Sequence, residues 1–321
     1  MKVLVTGCAG FIGARVTEFL LDDGHEVIGV DSLNTAYDPR LKEWRLDRLR
    51  EREFESRPIN LGDRQALADL FAKEGFSAVI NLAARAGVRP SVMDPGIYYE
   101  TNVTGTLNLL ELCRAGGVGK FVLASTSSLY GDAERPFTEE TPTDRPRSPY
   151  AASKKAAELL CYTYHQLHGL DVTIPRYFTV YGPAGRPDMS IFRFIRWIAE
   201  GEPLALYGDG RQERDFTYVD DVARATVAAL RPAGFEIVNV GSDHPVPLTS
   251  VIAMIEGLIG RKANIERHPA DPSDVSATWA VIEKAKRLLG WEPQVSLEDG
   301  LQRTVTWYMD NRELASVLNL G

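Results

Sequence analysis

Short apolar runs alternate with amphipathic stretches through the first half of the chain. Four of these runs are rich in β-branched residues and largely lack polar alternation, and they occupy residues 3–5, 26–30, 78–82 and 121–124. Strands that are buried on both faces have this pattern, because helices cover both sides of a parallel sheet. The runs therefore predict a parallel central sheet.

Helical patterns fill the intervals between these runs. The first predicted helix runs from residue 13 to 24, and the second follows Asp63. The third carries Val103, Leu107 and Leu110 at the spacing of a core-facing stripe. Strands and helices that alternate in this way predict an α/β, Rossmann-type doubly wound fold with right-handed crossovers.

The second half of the chain is less regular, with Pro and Gly clusters between short elements. We predict a Rossmann domain over residues 1–175 and a smaller mixed α/β domain over residues 176–321. A βα segment from later in the chain is expected to return to the first sheet. Residues 297–317 predict a helix that covers the surface.

Composition narrows the classes of function. The 321 residues carry a formal net charge of −8, and positive charge is not concentrated, so we expect neither nucleic acid nor membrane as a partner. The most basic stretch, residues 42–52, alternates with acids and predicts a solvated helix. Cys8, Cys113 and Cys161 are scattered, which predicts no disulfide framework and no metal site. The chain opens on a strand pattern without a signal peptide, so we expect a cytoplasmic protein.

A glycine-rich turn follows the first strand. Gly7, Gly10 and Gly13 permit a tight turn and a close approach of the backbone to a pyrophosphate, at the start of a helix. Asp31 ends the second strand, 18 residues after Gly13, where a carboxylate accepts hydrogen bonds from ribose hydroxyls. Because that carboxylate repels a 2′-phosphate, the pattern favours NAD over NADP.

A tyrosine and a lysine stand four residues apart at Tyr150 and Lys154, on one face of a predicted helix. They follow a strand that ends in the polar segment 125–131. Ligands of open α/β folds bind at the carboxyl ends of the strands, so this segment and the helix are expected to meet at a binding crevice.

Taken together, these motifs resemble those of the extended short-chain dehydrogenases/reductases, in the sugar-nucleotide epimerase/dehydratase group. The resemblance spans nearly the whole chain, through the glycine turn, Asp31, Asn102, Thr126, the Tyr150/Lys154 pair and Arg214-Asp215-Phe216. It implies a tightly bound NAD, a UDP-sugar substrate held by the second domain, and a homodimer formed through two helices per subunit.

The resemblance also implies roles for individual residues. Tyr150 as a phenolate takes the proton from a sugar hydroxyl, Lys154 lowers the pKa of Tyr150, and Thr126 hydrogen-bonds the same sugar oxygen. The cofactor residues that it implies are Gly7, Gly10, Phe11, Ile12, Gly13, Asp31, Asn60, Leu61, Leu82, Ala83, Ala84, Asn102, Tyr150, Lys154 and Tyr177.

The residues after Thr126 bear on the reaction. Dehydratases of the group place Asp-Glu there, and related decarboxylases usually carry a Glu in this stretch, whereas this chain has Ser127 and Ser128. Neither serine is a competent acid or base near neutral pH. Their presence favours epimerisation at C4 through a 4-keto sugar, with decarboxylation of a uronic acid as an alternative.

The segment 176–189 bears on the sugar, and it is similar to the corresponding loop of UDP-glucuronate 4-epimerases. Arg186 offers a planar fork for a carboxylate, and Ser127, Ser128 and Thr179 could complete its hydrogen bonding. We hypothesise that this clamp keeps the carboxylate in an orientation that resists loss of CO₂ from the 4-keto intermediate. A UDP-glucose or UDP-N-acetylglucosamine 4-epimerase remains an alternative, as does an inactive NAD-sensing regulator.

Two further substrate contacts are implied by the resemblance, and three positions depart from it. Arg214 matches the arginine that binds the UDP diphosphate, and Tyr207 stands where an aromatic ring stacks near uracil. Arg89, after Gly87-Val88, is a further candidate that either reaches the substrate or faces solvent. The departures are Asn60 in place of an aspartate, an unexplained charge at Arg85, and Pro272-Ser273-Asp274 in place of a Gly-Asp phosphate turn.

Overall fold

The apolar runs of the first half form one parallel sheet. A computed structural model describes residues 1–52, 54–270 and 275–320. Its strands, in chain order, are β1 (Lys2–Thr6), β2 (Glu26–Val30), β3 (Glu55–Arg57), β4 (Ala78–Asn81), β5 (Lys120–Leu123), β6 (Ser125–Thr126), β7 (Asp171–Tyr177), β8 (Thr179–Tyr181), β9 (Pro203–Tyr207), β10 (Glu213–Tyr218), β11 (Phe235–Val240), β12 (Pro245–Pro247) and β13 (Asn264–His268). Among these, the main sheet has the order β11-β7-β5-β4-β1-β2-β3, with β6 beside β7.

The helices pack on both faces of this sheet. In chain order they are α1 (Phe11–Asp22), α2 (Pro39–Arg50), α3 (Arg64–Glu74), α4 (Val88–Met93), α5 (Pro95–Tyr99), α6 (Gly105–Gly116), α7 (Pro149–His168), α8 (Ser190–Glu200), α9 (Val219–Ala228), α10 (Leu248–Ile259), α11 (Glu283–Leu289), α12 (Leu297–Asp310) and α13 (Arg312–Ala315). One buried cluster joins α1, α2, α9 and α11 to the sheet, and another joins α3, α6 and α7 to its opposite face. The predicted doubly wound α/β class is confirmed.

A smaller layer follows the sheet. Strands β8, β10 and β12 form one small sheet and β9 pairs with β13, and a third apolar cluster packs them against α8, α10 and α12. Leu41 of α2 belongs to this third cluster, whereas Leu46 and Leu49 of the same helix belong to the core of the main sheet. Helix α2 therefore contacts both layers.

Strand β11 lies at the edge of the main sheet, parallel to β7, in register from Phe235 beside Val172 to Val240 beside Tyr177. Strand β7 runs to Tyr177, two residues past the predicted division at residue 175. The division into two domains stays a prediction.

Two details of the helices differ from the sequence pattern. Leu107 is exposed, whereas Leu109 and Leu110 are buried. A π-helical turn over Glu100–Thr104 contains Val103 and precedes α6, so Val103 is out of the α-helical phase that the predicted stripe assumes. The predicted C-terminal helix is interrupted at Asn311, whose side chain donates to Trp307 O at 2.9 Å and ends α12.

The order of the strands places a crevice at one end of the sheet. From β1 the chain proceeds to β2 and β3 on one side, and the connection after β3 crosses back past β1 to β4 on the other side. Thr6 and Asn81 lie side by side at the carboxyl ends of β1 and β4, and Thr126 lies beside Tyr177 in the neighbouring pair of strands. Ligands of this architecture bind at such a reversal point.

Candidate active site

The turn after β1 is shaped for an anion. Gly7 adopts φ +70°, and a Cβ there would lie 2.8 Å from Ala83 N. A Cβ at Gly13 would lie 2.0 Å from Gly7 O, so both positions require glycine. Helix α1 starts at Phe11 after Gly10, which has no side chain to cap it. Its first N–H groups are therefore available to a phosphate, which fits the pyrophosphate of a dinucleotide.

Asp31 lies at the carboxyl end of β2, as predicted, and it is buried. Its carboxylate accepts from Ala9 N at 3.2 Å and from Leu33 N at 2.8 Å. Lys42 Nζ lies 3.3 Å from Asp31 Oδ1. The carboxylate that would meet the ribose is thus held in place by the glycine turn and by a cation from α2.

The prediction of a solvated helix over residues 42–52 is wrong at its first two turns. Lys42 and Arg45 are only 5% and 3% exposed. The spacing of Leu41, Leu46 and Leu49 defines a buried face of α2, and both cations lie on that face. The sequence therefore contained a pattern that indicates their burial. The acceptors that make their burial possible come from distant loops, and the charge pattern of the helix does not reveal them.

One cavity of about 420 Å³ extends from the glycine turn to the N-terminal end of α7. Fourteen of the fifteen predicted cofactor residues line it. They are Gly7, Gly10, Phe11, Ile12, Gly13, Asp31, Asn60, Leu61, Leu82, Ala83, Ala84, Tyr150, Lys154 and Tyr177. The lining extends from Asp31 and the glycine turn to Tyr150 and Lys154 on α7. This lining is consistent with NAD.

The fifteenth residue, Asn102, lies in the π-helical turn behind the cavity. Its Oδ1 accepts from Arg85 N at 2.9 Å, and its Nδ2 donates to Arg85 O at 3.0 Å and to Ser153 Oγ at 2.9 Å. Among the described residues it does not line the cavity. Its amide instead ties the loop after β4 to the helix of Tyr150.

Tyr150 and Lys154 are brought together on the first turns of α7. Ser148 caps this helix by accepting from Ala151 N at 3.1 Å, and Pro149 occupies its first position, so the helix begins at the crevice. Burial raises the pKa of the Tyr150 phenol, whereas a hydrogen bond with Thr126 acts in the opposite direction. The predicted Thr126, Tyr150 and Lys154 therefore share one site.

Lys154 is buried against the end of β5. Its Nζ donates to Ala124 O at 2.9 Å. Burial lowers the pKa of the Lys154 ammonium to about 8, and the nearby Glu158 acts in the opposite direction. This lysine remains largely protonated at neutral pH, so its charge is present in the cavity that Tyr150 also lines.

Arg186 lines the same cavity as Tyr150, and of its three predicted helpers Thr179 shares a second cavity with it. The Nε of Arg186 donates to Asp188 Oδ1 at 3.0 Å, and its Nη2 pairs with the other oxygen. Thr179 lines a smaller adjoining cavity that also includes Arg186. Ser127 and Ser128 begin a 3₁₀ turn, and Thr126 Oγ1 accepts from Ser128 N at 3.1 Å.

The three remaining predicted substrate residues lie beyond the described lining of the main cavity. The Arg89 guanidinium stacks over the Tyr207 ring at 4.5 Å, so these two are brought together. Arg214 lies on β10 and donates to Glu213 O at 2.8 Å. Residues 272–274, which replace the Gly-Asp phosphate turn of the family, lie outside the described residues.

Several residues of the cavity were not predicted. Tyr37 and Arg85 line it, and Tyr98 packs edge to face against the Tyr150 ring at 6.1 Å. Arg85, whose charge the sequence left unexplained, lies in the lining of the cavity, and its backbone N–H donates to Asn102. No pattern in the sequence points to Tyr37 or Tyr98, because only the tertiary fold brings the loop of Tyr37 to the cavity and the short helix of Tyr98 to the Tyr150 ring.

The fold and this site define a class: a Rossmann-type dinucleotide-binding enzyme with a Tyr-Lys pair at the end of its sheet. Residues 3–241 match the model of the NAD dependent epimerase/dehydratase family. The chain belongs to this family, and its cofactor is NAD. The predictions of the family and of NAD are confirmed.

Several sugar-nucleotide 4-epimerases are similar in sequence and structure to nearly the whole of this chain. The UDP-glucuronate 4-epimerase of Thermodesulfobacterium geofontis (strain OPF15) is 57% identical over 313 residues, which cover 97% of each chain. The crystal structure of UDP-glucuronic acid 4-epimerase from Bacillus cereus with UDP-glucuronic acid and NAD is 37% identical, with a TM-score of 0.91 and coverage of 97% of this chain and 100% of that one. A UDP-glucose 4-epimerase from Thermotoga maritima with UDP-glucose is 33% identical, with a TM-score of 0.91 and the same two coverages. The prediction of a sugar-nucleotide 4-epimerase is confirmed.

Proposed function

We propose that this enzyme interconverts UDP-glucuronate and UDP-galacturonate by inverting C4 of the uronic acid. The observation that carries the proposal is that Arg186, a cation suited to a carboxylate, lines the same cavity as Tyr150. Asp188 engages Nε and one N–H of Nη2 of Arg186, which leaves the end of the fork, formed by Nη1 and the second N–H of Nη2, for a substrate carboxylate. The 57% identity to a UDP-glucuronate 4-epimerase supports the same substrate.

The proposed chemistry follows from the geometry around Tyr150. When bound in this cavity, NAD would supply the acceptor and donor of the C4 hydride. Tyr150 takes the proton of the C4 hydroxyl, and Thr126, which hydrogen-bonds the phenol, orients the same oxygen. Lys154 supplies a positive charge that stabilises the phenolate. Because the hydride returns to C4 and the proton to its oxygen, no net oxidation occurs, and return of the hydride to the opposite face of the ketone inverts C4.

We assign the residues near the cavity as follows. Asp31 holds the adenine ribose, with Lys42 behind it, and the turn of Gly7, Gly10 and Gly13 holds the pyrophosphate. Asn102 acts by holding the loop after β4 against α7. Ser127, Ser128 and Thr179 border the sugar, and Arg89, Tyr207 and Arg214 hold the UDP portion.

Incubation of the purified protein with UDP-glucuronate, without added cofactor, tests the proposal. Proton NMR of the sugar ring should show the C4 epimer growing to equilibrium, with no pentose and no CO₂. A parallel incubation with UDP-glucose is the control, and we expect much slower epimerisation because that sugar has no carboxylate for Arg186. Faster turnover of UDP-glucose would assign the enzyme to neutral hexoses, and a pentose product would make it a decarboxylase.

We also propose that the enzyme is a homodimer formed through α6 and α7. These neighbouring helices expose apolar side chains away from the core: Leu107, Leu159 and Leu167, the last of them 71% exposed. Apolar side chains that are exposed on two neighbouring helices favour self-association through those helices. Sedimentation at micromolar concentration should give a dimer for the native chain, and Leu159→Glu should give a monomer. A native monomer would overturn this assignment.

The compartment that we propose is the cytoplasm, because Cys8, Cys113 and Cys161 are all buried free thiols. Separately, every helix in the described parts of the chain is too short or too polar to traverse a lipid bilayer.

A further inference from the structure

The buried guanidinium of Arg45 bridges two loops that border the cavity. Its Nη1 donates to Ala9 O at 3.0 Å, within the glycine turn. Its Nε and Nη2 both donate to Ala184 O, at 3.2 and 2.6 Å, within the loop that carries Arg186. A single side chain from α2 therefore holds the cofactor-binding turn and the Arg186 loop together. The two residues that it joins, Ala9 and Ala184, are 175 positions apart in the sequence.

The loop that Arg45 holds has a backbone conformation that requires support. Ala184 has φ +52°, in the left-handed region that non-glycine residues rarely occupy. Its carbonyl receives both hydrogen bonds from Arg45, which are charge-assisted and therefore stronger than bonds between neutral groups. Arg186 follows two residues later, so the position of its guanidinium depends on how this peptide is oriented.

Tyr37 connects the same groups a second time. Its hydroxyl accepts from Arg45 Nη1 at 2.7 Å. The guanidinium carbons of Arg45 and Arg186 lie 5.5 and 5.6 Å from the centre of the Tyr37 ring, and Lys42 Nζ lies 5.3 Å from it. Cations at these distances are attracted to the ring, so Tyr37 lines the cavity as a surface against which Arg186 rests.

We propose that Arg45 is a positioning residue for substrate selection, which holds the Arg186 loop against the glycine turn so that both are preorganised before the uronic acid binds. This inference rests on the proposed function, in which Arg186 binds the substrate carboxylate. It predicts that Arg45 affects the preference for an acidic sugar rather than the binding of the nucleotide portion. Preorganisation of this kind raises affinity by reducing the ordering cost of binding.

Two substitutions at Arg45 separate positioning from folding. Arg45→Lys keeps the charge but loses the fork that reaches both carbonyls, and Arg45→Met removes the charge at similar length. Arg48→Met is the matched control, because Arg48 lies on the same helix but is exposed over the Trp44 ring at 5.2 Å. If Arg45→Met does not fold, Arg45→Lys still decides the question.

The first readout is the ratio of the dissociation constants for UDP-glucose and UDP-glucuronate. It is measured on NAD-loaded protein in the Tyr150→Phe background, so that bound sugars are not turned over, with UDP alone as the reference ligand. We expect Arg45→Lys to lower this ratio about tenfold, with the affinity for UDP unchanged, and Arg48→Met to leave the ratio as it was. In an Arg186→Leu background, Arg45→Lys should have no further effect on the ratio, because the residue that it positions is gone.

The second readout needs no substrate. Hydrogen exchange of the amides of residues 183–189 should accelerate in Arg45→Lys, whereas the amides of β4 keep their protection. The inference is overturned if either readout in Arg45→Lys matches the native chain, or if affinity for UDP falls as much as affinity for UDP-glucuronate. A native chain that does not prefer UDP-glucuronate contradicts the proposed function instead. A native preference that survives in Arg45→Lys contradicts the role of Arg45 alone.

Discussion

Arg186 and Tyr150 face one cavity, and the charge of Arg186 opposes the rise in the pKa of the Tyr150 phenol that burial causes. The hydrogen bond between Thr126 and Tyr150 acts on this pKa in the same direction as Arg186. Burial alone would keep the phenol protonated and inactive as a base. The residue that we assign to the substrate carboxylate therefore also favours the reactive form of the base.

This relationship predicts the effect of Arg186→Leu on the titration of Tyr150. Removal of the cation destabilises the phenolate, so the pKa of Tyr150 should rise. The measurement is the ultraviolet absorbance of tyrosinate in NAD-loaded protein, taken as the difference between each chain and its Tyr150→Phe counterpart. Arg48→Met should titrate like the native chain. An unchanged or lower pKa in Arg186→Leu would show that the two side chains are not coupled.

Arg186→Leu also tests the carboxylate clamp. We expect kcat/KM for UDP-glucuronate to fall about a hundredfold, because a charge-assisted bidentate contact is lost, while NAD content stays the same. The clamp hypothesis further predicts that a larger share of turnovers ends in CO₂ and a pentose, since the carboxylate of the 4-keto sugar is no longer held in place. Product analysis by NMR and trapping of CO₂ give both quantities. Unchanged kinetics with intact cofactor would end the clamp hypothesis.

The sequence was most informative where chemistry requires one residue type at one position. Gly7 and Gly13 could be predicted because a Cβ at either would collide with backbone. Tyr150 and Lys154 could be predicted because four-residue spacing places them on one helix face. The sheet could be predicted because strands buried on both faces leave long apolar runs.

It was least informative where distant segments meet. The charge pattern predicts Arg45 as a solvated side chain, because the carbonyls that accept its hydrogen bonds, at Ala9 and Ala184, belong to loops far away in the sequence. Asn102 was expected to contact the cofactor, whereas its amide is occupied by Arg85 and Ser153. Patterns along the chain report the face of a helix, and they do not report which partner that face meets.

Tyr150→Phe should nearly abolish epimerisation and leave the cofactor bound. The phenylalanine ring fills the same space but cannot take or return a proton, so we expect kcat to fall by a factor of about 10³. The 260 nm absorbance of the purified protein should still report bound NAD in about native amount. Tyr98→Phe is the matched control: its ring packs against Tyr150, yet its hydroxyl donates to Ala86 O at 3.3 Å. An active Tyr150→Phe enzyme would require another base.

Lys154→Met should change the pH dependence of stability in a direction that its burial dictates. Burial lowers the pKa of Lys154 to about 8 from 10.5, so the unfolded chain holds a proton between these pH values that the native protein has released. The free energy of unfolding of the native sequence, relative to Lys154→Met, must therefore rise with pH across this window, by at most about 1.4 kcal/mol per pH unit. Below pH 8 both states carry the proton, and the native sequence bears the full cost of a buried ammonium. Urea denaturation of NAD-free protein at pH 7, 8, 9 and 10 measures the difference, with Lys155→Met as the control for removing a lysine from the same helix. A difference that is flat over this range, or equally steep for Lys155→Met, would mean that Lys154 is not a charge held at a cost in stability for use in catalysis.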